Sequence, residues 1–300
     1  MIGFLPLFIA AGLFLVALGD AMPSPFYREL YATDPMMTGN DVLIAQTLLQ
    51  RDAYVIGLKA DGVYGKDSAS ATSAFQSANG LSATGKLDTA SAQLLLDLHE
   101  EDGYTDSGFS AASLGYLYKV HIPVHKNRSI ETYATLFDKD NNVLFKFRAR
   151  QHGHSGDGTD SVWPDYGTGE VGLTQLASNG NTPTGLVEID LNSPEPDPNL
   201  YGPWPVNRVV RGLEGNALLM LPNIRDGVLI HTGNWTTSQV QWEPAHAMPN
   251  SAGCVHAHPT EVERIYTTLV ALGVEVRDNT FSGKNYPYKP QGVGVIELMD

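Results

Sequence analysis

The sequence predicts an α+β chain of two domains, a small three-helix bundle followed by a larger β-rich domain. Three observations predict it. Apolar residues recur at helical spacing in three short segments within residues 36–98. An acidic stretch rich in Gly and Ser, without any period, follows at 99–114 and reads as a linker. From residue 115 to 300 the pattern changes to alternating or continuous runs of β-formers. A chain of 300 residues, 42% hydrophobic and 17% charged, has the material for about two such cores.

The first helix is predicted to begin near Asp41, with Val42, Ala45, Leu48 and Leu49 on its inner face. A turn cluster, 61-DGVYG-65, leads to the second, 67-DSASATSAFQSANG-80. There Asp67 is placed to cap the start, Ala71, Ala74, Phe75 and Ala78 share a face, and Gly80 ends the helix. In the third unit, 84-TGKLDTASAQLLLDLHE-100, Asp88 is the expected N-cap and Leu94, Leu95 and Leu98 the apolar face. Beyond residue 115, strands are expected at 116–124, 130–138, 143–150, 186–191, 217–221 and 228–231, with Asp140-Asn141-Asn142 as a connecting turn. One helix is expected there. It starts at Pro259, buries Val262, Ile265, Tyr266, Leu269 and Leu272, and stops at Gly273.

Residues 1–19 form an apolar run ending in small residues, read as a signal peptide or, if uncleaved, an anchor. The chain is therefore expected to be secreted or extracytoplasmic, with a membrane as partner only if that segment is retained. Two sequons, Asn127-Arg128-Ser129 and Asn234-Trp235-Thr236, would be glycosylation acceptors in a eukaryotic secretory pathway. A formal charge of −14 with scattered Lys and Arg argues against nucleic acid as a partner.

Within 250-NSAGCVHAHP-259 lies the only cysteine, Cys254. Export favours disulfides, so one unpaired thiol is a reactive group, half of an intermolecular bridge, or an inert buried residue. Cys254, His256 and His258 alternate and in an extended strand could ligate zinc, although Pro259 soon ends such a strand. His152, His154, Asp157 and Asp160 are also ligand types, but the Gly and Ser between them fit a solvated loop better. Neither a metal nor another cofactor is called for.

Two resemblances sharpen these readings. Asp41-Val42, Asp61-Gly62-x-Tyr64-Gly65, Phe75-Gln76, Gly80-Leu81, Thr84-Gly85 and Asp88 stand in an order that resembles the three-helix peptidoglycan-binding domain. Further on, 182-TPTGLVEI-189, 227-GVLIHTGN-234 and 251-SAGCVH-256 resemble the L,D-transpeptidase catalytic domain, also called YkuD, from about Gly115 to about Val276. That resemblance implies peptidoglycan, stem peptide and glycan, as partner. It also implies Cys254 as nucleophile, His231 as its base, and Thr232 holding the imidazole through its backbone carbonyl. The amides of Gly253 and Cys254 become oxyanion donors, with Ser251 and His256 on the substrate side. The sequence departs from the family at Ala252, which replaces a histidine, at His256, which replaces an arginine, and in a longer gap through 235–248. The expected activity is acyl transfer or hydrolysis on the stem peptide. The alternative is a non-catalytic peptidoglycan-binding protein with a degenerate site.

Overall fold

The computed structural model describes residues 21–128, 130–153, 174–177, 179–233, 248–278 and 286–299. The apolar run 1–19, His154, Asp157, Asp160, Ser129 of the first sequon, the Asn234 sequon and nearly all of 235–248 lie outside the described residues.

The N-terminal region is helical: α1 (Asn40–Leu49), α2 (Lys66–Ala78) and α3 (Thr89–His99), with a short antiparallel ribbon of β1 (Met37–Thr38) and β2 (Val63–Tyr64). Val42, Ile44, Ala45, Leu48 and Leu49 bury the inner face of α1. Asp41 lies in its first turn, where the helix dipole favours a carboxylate, and accepts from Arg28 Nε at 2.8 Å. Two expectations shift here. Helix α2 starts before Asp67, with Gly65 at the N-cap, so Asp67 sits in the first turn instead of capping, and Ala78 is exposed. Asp88 does cap α3, accepting from Ser91 N at 2.9 Å, but the buried stripe is Ala92, Leu95, Leu96 and His99. Leu98 is exposed: the run Leu94-Leu95-Leu96-Asp97-Leu98 offers two helical phases, and the one that continues through Ala92 is buried.

Two buried glutamines tie the helices together in the same way. Gln46 on α1 accepts from Gly62 N (2.8 Å) and donates to Ser68 Oγ on α2 (2.9 Å). Gln76 on α2 accepts from Gly85 N (2.9 Å) and donates to Ser91 Oγ on α3 (2.8 Å). The segments 61-DGVYGKDS-68 and 84-TGKLDTAS-91 are thus two copies of one turn-and-helix-start device.

The second region is a closed barrel of eight strands, in the order β10-β3-β4-β5-β9-β8-β7-β6. In chain order these are β3 (Tyr118–Val124), β4 (Thr132–Asp138), β5 (Val143–Arg150), β6 (Gly185–Asn192), β7 (Val206–Gly212), β8 (Leu229–His231), β9 (Val255–Ala257) and β10 (Gly292–Leu298). Strand β10 runs parallel to β3 and antiparallel to β6, closing the barrel. Short β8 and β9 pair in parallel, with Ile230 opposite Val255 and His231 opposite His256. The same region carries three helices, α4 (Pro198–Tyr201), α5 (Gly215–Met220) and α6 (Pro259–Ala271). Helix α6 starts at Pro259 as expected and buries Val262, Ile265 and Leu269, but Leu272 is exposed.

One strand expectation is overturned. Residues 217–221 are not a strand; they fall mostly in α5, which buries Ala217, Leu219 and Met220. Ala, Leu and Met are strong helix formers without β-branching, so a short apolar run of them is ambiguous, and Pro222 bars the helix from continuing. Strands β7 and β10 went unanticipated. In β7 the apolar run is broken by Asn207, Arg208 and Arg211, and in β10 by Gly292 and Gly294.

Residues 99–102 are held between the two regions. Arg51 Nη1 donates to Asp102 Oδ2 and to Asn216 Oδ1, each at 2.7 Å, and Asn216 Nδ2 donates to His99 O at 3.1 Å. Thr184 Oγ1 donates to Asp102 O at 2.6 Å.

Candidate active site

Strands β8 and β9 are parallel neighbours: His231 ends β8 opposite His256, and Cys254 immediately precedes β9, so the two residues stand on adjacent short strands. His231 is buried, and its Nδ1 lies 2.5 Å from Thr232 O. Backbone carbonyls only accept, so Nδ1 carries the proton and Nε2 is the basic nitrogen. Burial holds the imidazole well below its usual range, at about 4 despite the bond to Thr232, so the ring is neutral at pH 7. Its faces are packed. The Tyr201 ring on α4 lies 5.1 Å away, and the His256 ring meets it edge-on at 4.8 Å.

Cys254 is half-buried, and its thiol donates to Gly227 O at 3.4 Å. Burial pushes the thiol up, while a backbone hydrogen bond and the cations Arg225 and Arg208 pull it down less strongly. The resting site therefore holds a neutral thiol and a neutral imidazole.

Three side chains clamp the turn around the cysteine, one on each of three consecutive carbonyls. Arg225 Nη2 donates to Ala252 O (3.3 Å), Thr182 Oγ1 to Gly253 O (2.9 Å) and Ser251 Oγ to Cys254 O (2.8 Å). Ser251 Oγ also accepts from Gly253 N at 3.0 Å. Thus Ser251 and the Gly253 amide are engaged with each other inside the turn, and the Cys254 amide is the remaining oxyanion candidate of the two expected. Gly253 itself is required twice over. Its φ is +97°, and a Cβ there would lie 1.5 Å from Arg225 Nη2. In the Thr182-Pro183-Thr184-Gly185 turn, a Cβ at Gly185 (φ +148°) would lie 2.1 Å from Glu214 O.

His256, expected on the substrate side, is buried; its Nδ1 lies 2.8 Å from Pro249 O and its ring braces the base. His258 caps α6, with its Nδ1 2.8 Å from Thr260 Oγ1, and so serves the helix start. His152 is buried with Nδ1 2.6 Å from Gly153 O, while its own carbonyl accepts from Ser251 N. No group of three metal-ligating side chains occurs among the described residues. Ala252 is exposed at the mouth of the turn.

Sequence reasoning missed Arg225 and Tyr201. Tyr201 is carried by an Asp197-Pro198 helix start, which the sequence does display, but nothing local says where that helix points. Beside Thr232 opens a cleft of about 340 Å³ lined by Pro198, Asn199, Pro203, Trp204, Gly233 and Pro259. That size and apolar lining suit an organic ligand of moderate size.

Residues 135–278 match the family model of the L,D-transpeptidase catalytic domain, YkuD. Residues 38–95 match that of the peptidoglycan binding domain PG_binding_1. The peptidoglycan-binding model thus matches the helical region, and the YkuD model matches most of the β-rich region. Among solved structures it is similar to an L,D-transpeptidase (residues 123–326) from Xylanimonas cellulosilytica, at 18% identity and TM-score 0.29, covering 91% of this chain and 98% of that one. Another is an L,D-transpeptidase from Stackebrandtia nassauensis, at 16% identity and TM-score 0.28, covering 83% and 94%. No curated protein matches the sequence.

Proposed function

We propose that this chain is an extracytoplasmic, peptidoglycan-acting cysteine acyltransferase. The observation that carries the reading is His231: a buried neutral imidazole, tautomer fixed by Thr232 O, on the strand next to the one that Cys254 precedes. Thiol Sγ–H passes its proton to His231 Nε2, and the thiolate attacks a stem-peptide carbonyl. The tetrahedral oxyanion faces the Cys254 amide. Collapse breaks the amide C–N bond, His231 returns the proton to the departing amine, and a thioester on Cys254 remains. An amine or a water then attacks the thioester, releasing the cysteine and giving a cross-link or a shortened stem. The cleft beside Thr232 would seat the peptide, and the helical region would keep the enzyme on the wall.

A second reading, a binder without turnover, draws on the thiol's resting bond to Gly227 O and on Ala252. Mass spectrometry of muropeptides incubated with the protein and with Cys254→Ala separates the two. New dimers or shortened stems, absent with the mutant, are expected. Unchanged muropeptides with retained binding to sacculi would leave only the binder.

A further inference from the structure

Arg225 is the most unusual group near the site. It is 4% exposed, yet among the described residues no carboxylate pairs with it. Its guanidinium is held by backbone carbonyls alone: Nη1 donates to Asn181 O (2.9 Å) and Gln175 O (3.4 Å), and Nη2 to Ala252 O (3.3 Å). Its Nε is buried without a hydrogen-bond partner. Carbonyl dipoles satisfy donors but leave the positive charge uncancelled, and an uncompensated buried charge is strongly destabilising. A second buried cation, Arg128, sits close by and donates to Thr182 O at 3.2 Å. A buried guanidinium held by carbonyls alone, as Arg225 is, stands ready to meet an anion that forms during the working cycle.

The geometry shows where that anion forms. The guanidinium occupies the space a side chain at 253 would fill, one residue from the thiol. We propose that Arg225 is a positioning residue that fixes the Ala252–Gly253 turn and supplies the buried counter-charge for the Cys254 thiolate. The inference rests on the acyltransferase reading for the purpose of the thiolate, but its test does not require turnover.

Other groups also face the thiol: His231 on β8, His256 on β9, Arg208 on β7, Glu195, and Tyr201 on α4. Arg208 is itself paired with Glu195, so its charge is largely spent. His231 is neutral above about 4, and the raised Tyr201 phenol stays protonated. Arg225 is left as the buried cation not balanced by a carboxylate.

The test is the pH dependence of Cys254 alkylation by iodoacetamide in the full chain, with circular dichroism as the check on folding. Arg225→Gln is expected to move the alkylation midpoint up by about one pH unit and slow the reaction about tenfold at neutral pH. Arg225→Lys should recover much of that shift. An unchanged midpoint in a natively folded Arg225→Gln protein would overturn the proposal. A second pair keeps Arg225 in place. Cys254→Asp should melt at least about 2 °C above its isostere Cys254→Asn at pH 7, and equal melting temperatures would overturn the proposal too. Failure of the acyltransferase reading would appear separately, as unchanged muropeptides with the alkylation shift intact.

Discussion

The buried glutamines of the helical region and the buried polar groups around Cys254 do opposite work. In the helical region, Gln46 and Gln76 are neutral, and each bonds a glycine N–H and a serine hydroxyl across a turn. Around Cys254 the buried groups include charged ones, and some atoms lack partners: Arg225 Nε and Thr232 Oγ1. A satisfied neutral network fixes one geometry and lowers energy in doing so. A charged, incompletely satisfied network costs stability, and a fold retains it where another state of the site uses it. The comparison separates residues that hold a shape from residues held ready for a reaction.

The largest expected effect breaks the reactive half. Cys254→Ala should abolish acyl transfer, and His231→Gln should lower it by about 10²–10⁴ in turnover while leaving the melting transition cooperative. Muropeptide turnover with the two proteins checks this. Because burial holds His231 at about 4, the acid limb of kcat/KM should lie near that value and not at the ordinary histidine position. An acid limb near 6.5 would point to another base.

The same imidazole sets the second effect, on stability. Unfolded, His231 takes a proton near 6.5; folded, near 4, so below 6.5 the unfolded state binds more protons. Its contribution is therefore complete above pH 6.5 and is lost as pH falls through that window towards 4. The loss is about 3 kcal/mol in total. His231→Gln should flatten that part of the stability curve, measured by urea unfolding between pH 7 and 4.

Breaking the structural half should be smaller and chemically silent. Gln76→Leu leaves Gly85 N–H and Ser91 Oγ without their partner and should cost about 1–3 kcal/mol. The rate of Cys254 alkylation should not change. A changed rate would mean that the two halves are coupled more tightly than their networks suggest.

Much of the fold was legible because period and caps are local. Asp88, Pro259 and the apolar faces of α1 and α6 are visible in the sequence. Phase was harder, as Leu98 shows, and so was a run such as Ala217–Leu221, where local composition serves helix and strand equally. The order of the three motifs pointed to Cys254, His231 and Thr232 as one set. Arg225 was invisible because its meaning is entirely tertiary. It stands in an ordinary loop, and only the folded chain lays its guanidinium over Gly253. Ser251 and His256 were marked by position, yet the structure turns both inward, onto the turn and the base.

The smallest effect probes the seam between the halves. Arg51 reaches from the end of α1 to both Asp102 and Asn216, and its partner carboxylate is partly exposed, so solvent screens the pair. Arg51→Met should cost roughly 0.5–1 kcal/mol. The seam has other bonds, from Asn216 to His99 O and from Thr184 to Asp102 O, which remain in that variant. Loosening should therefore show as faster protease cleavage within 99–110 before it shows as a fall in melting temperature. The Thr182–Gly185 turn gives that measurement a mechanistic edge, since Thr184 holds the seam while Thr182 holds Gly253 O. If Arg51→Met also alters the Cys254 alkylation rate, the turn transmits docking of the helical region to the nucleophile. An unaltered rate with faster cleavage would mean that the seam only fixes how the helical region is carried.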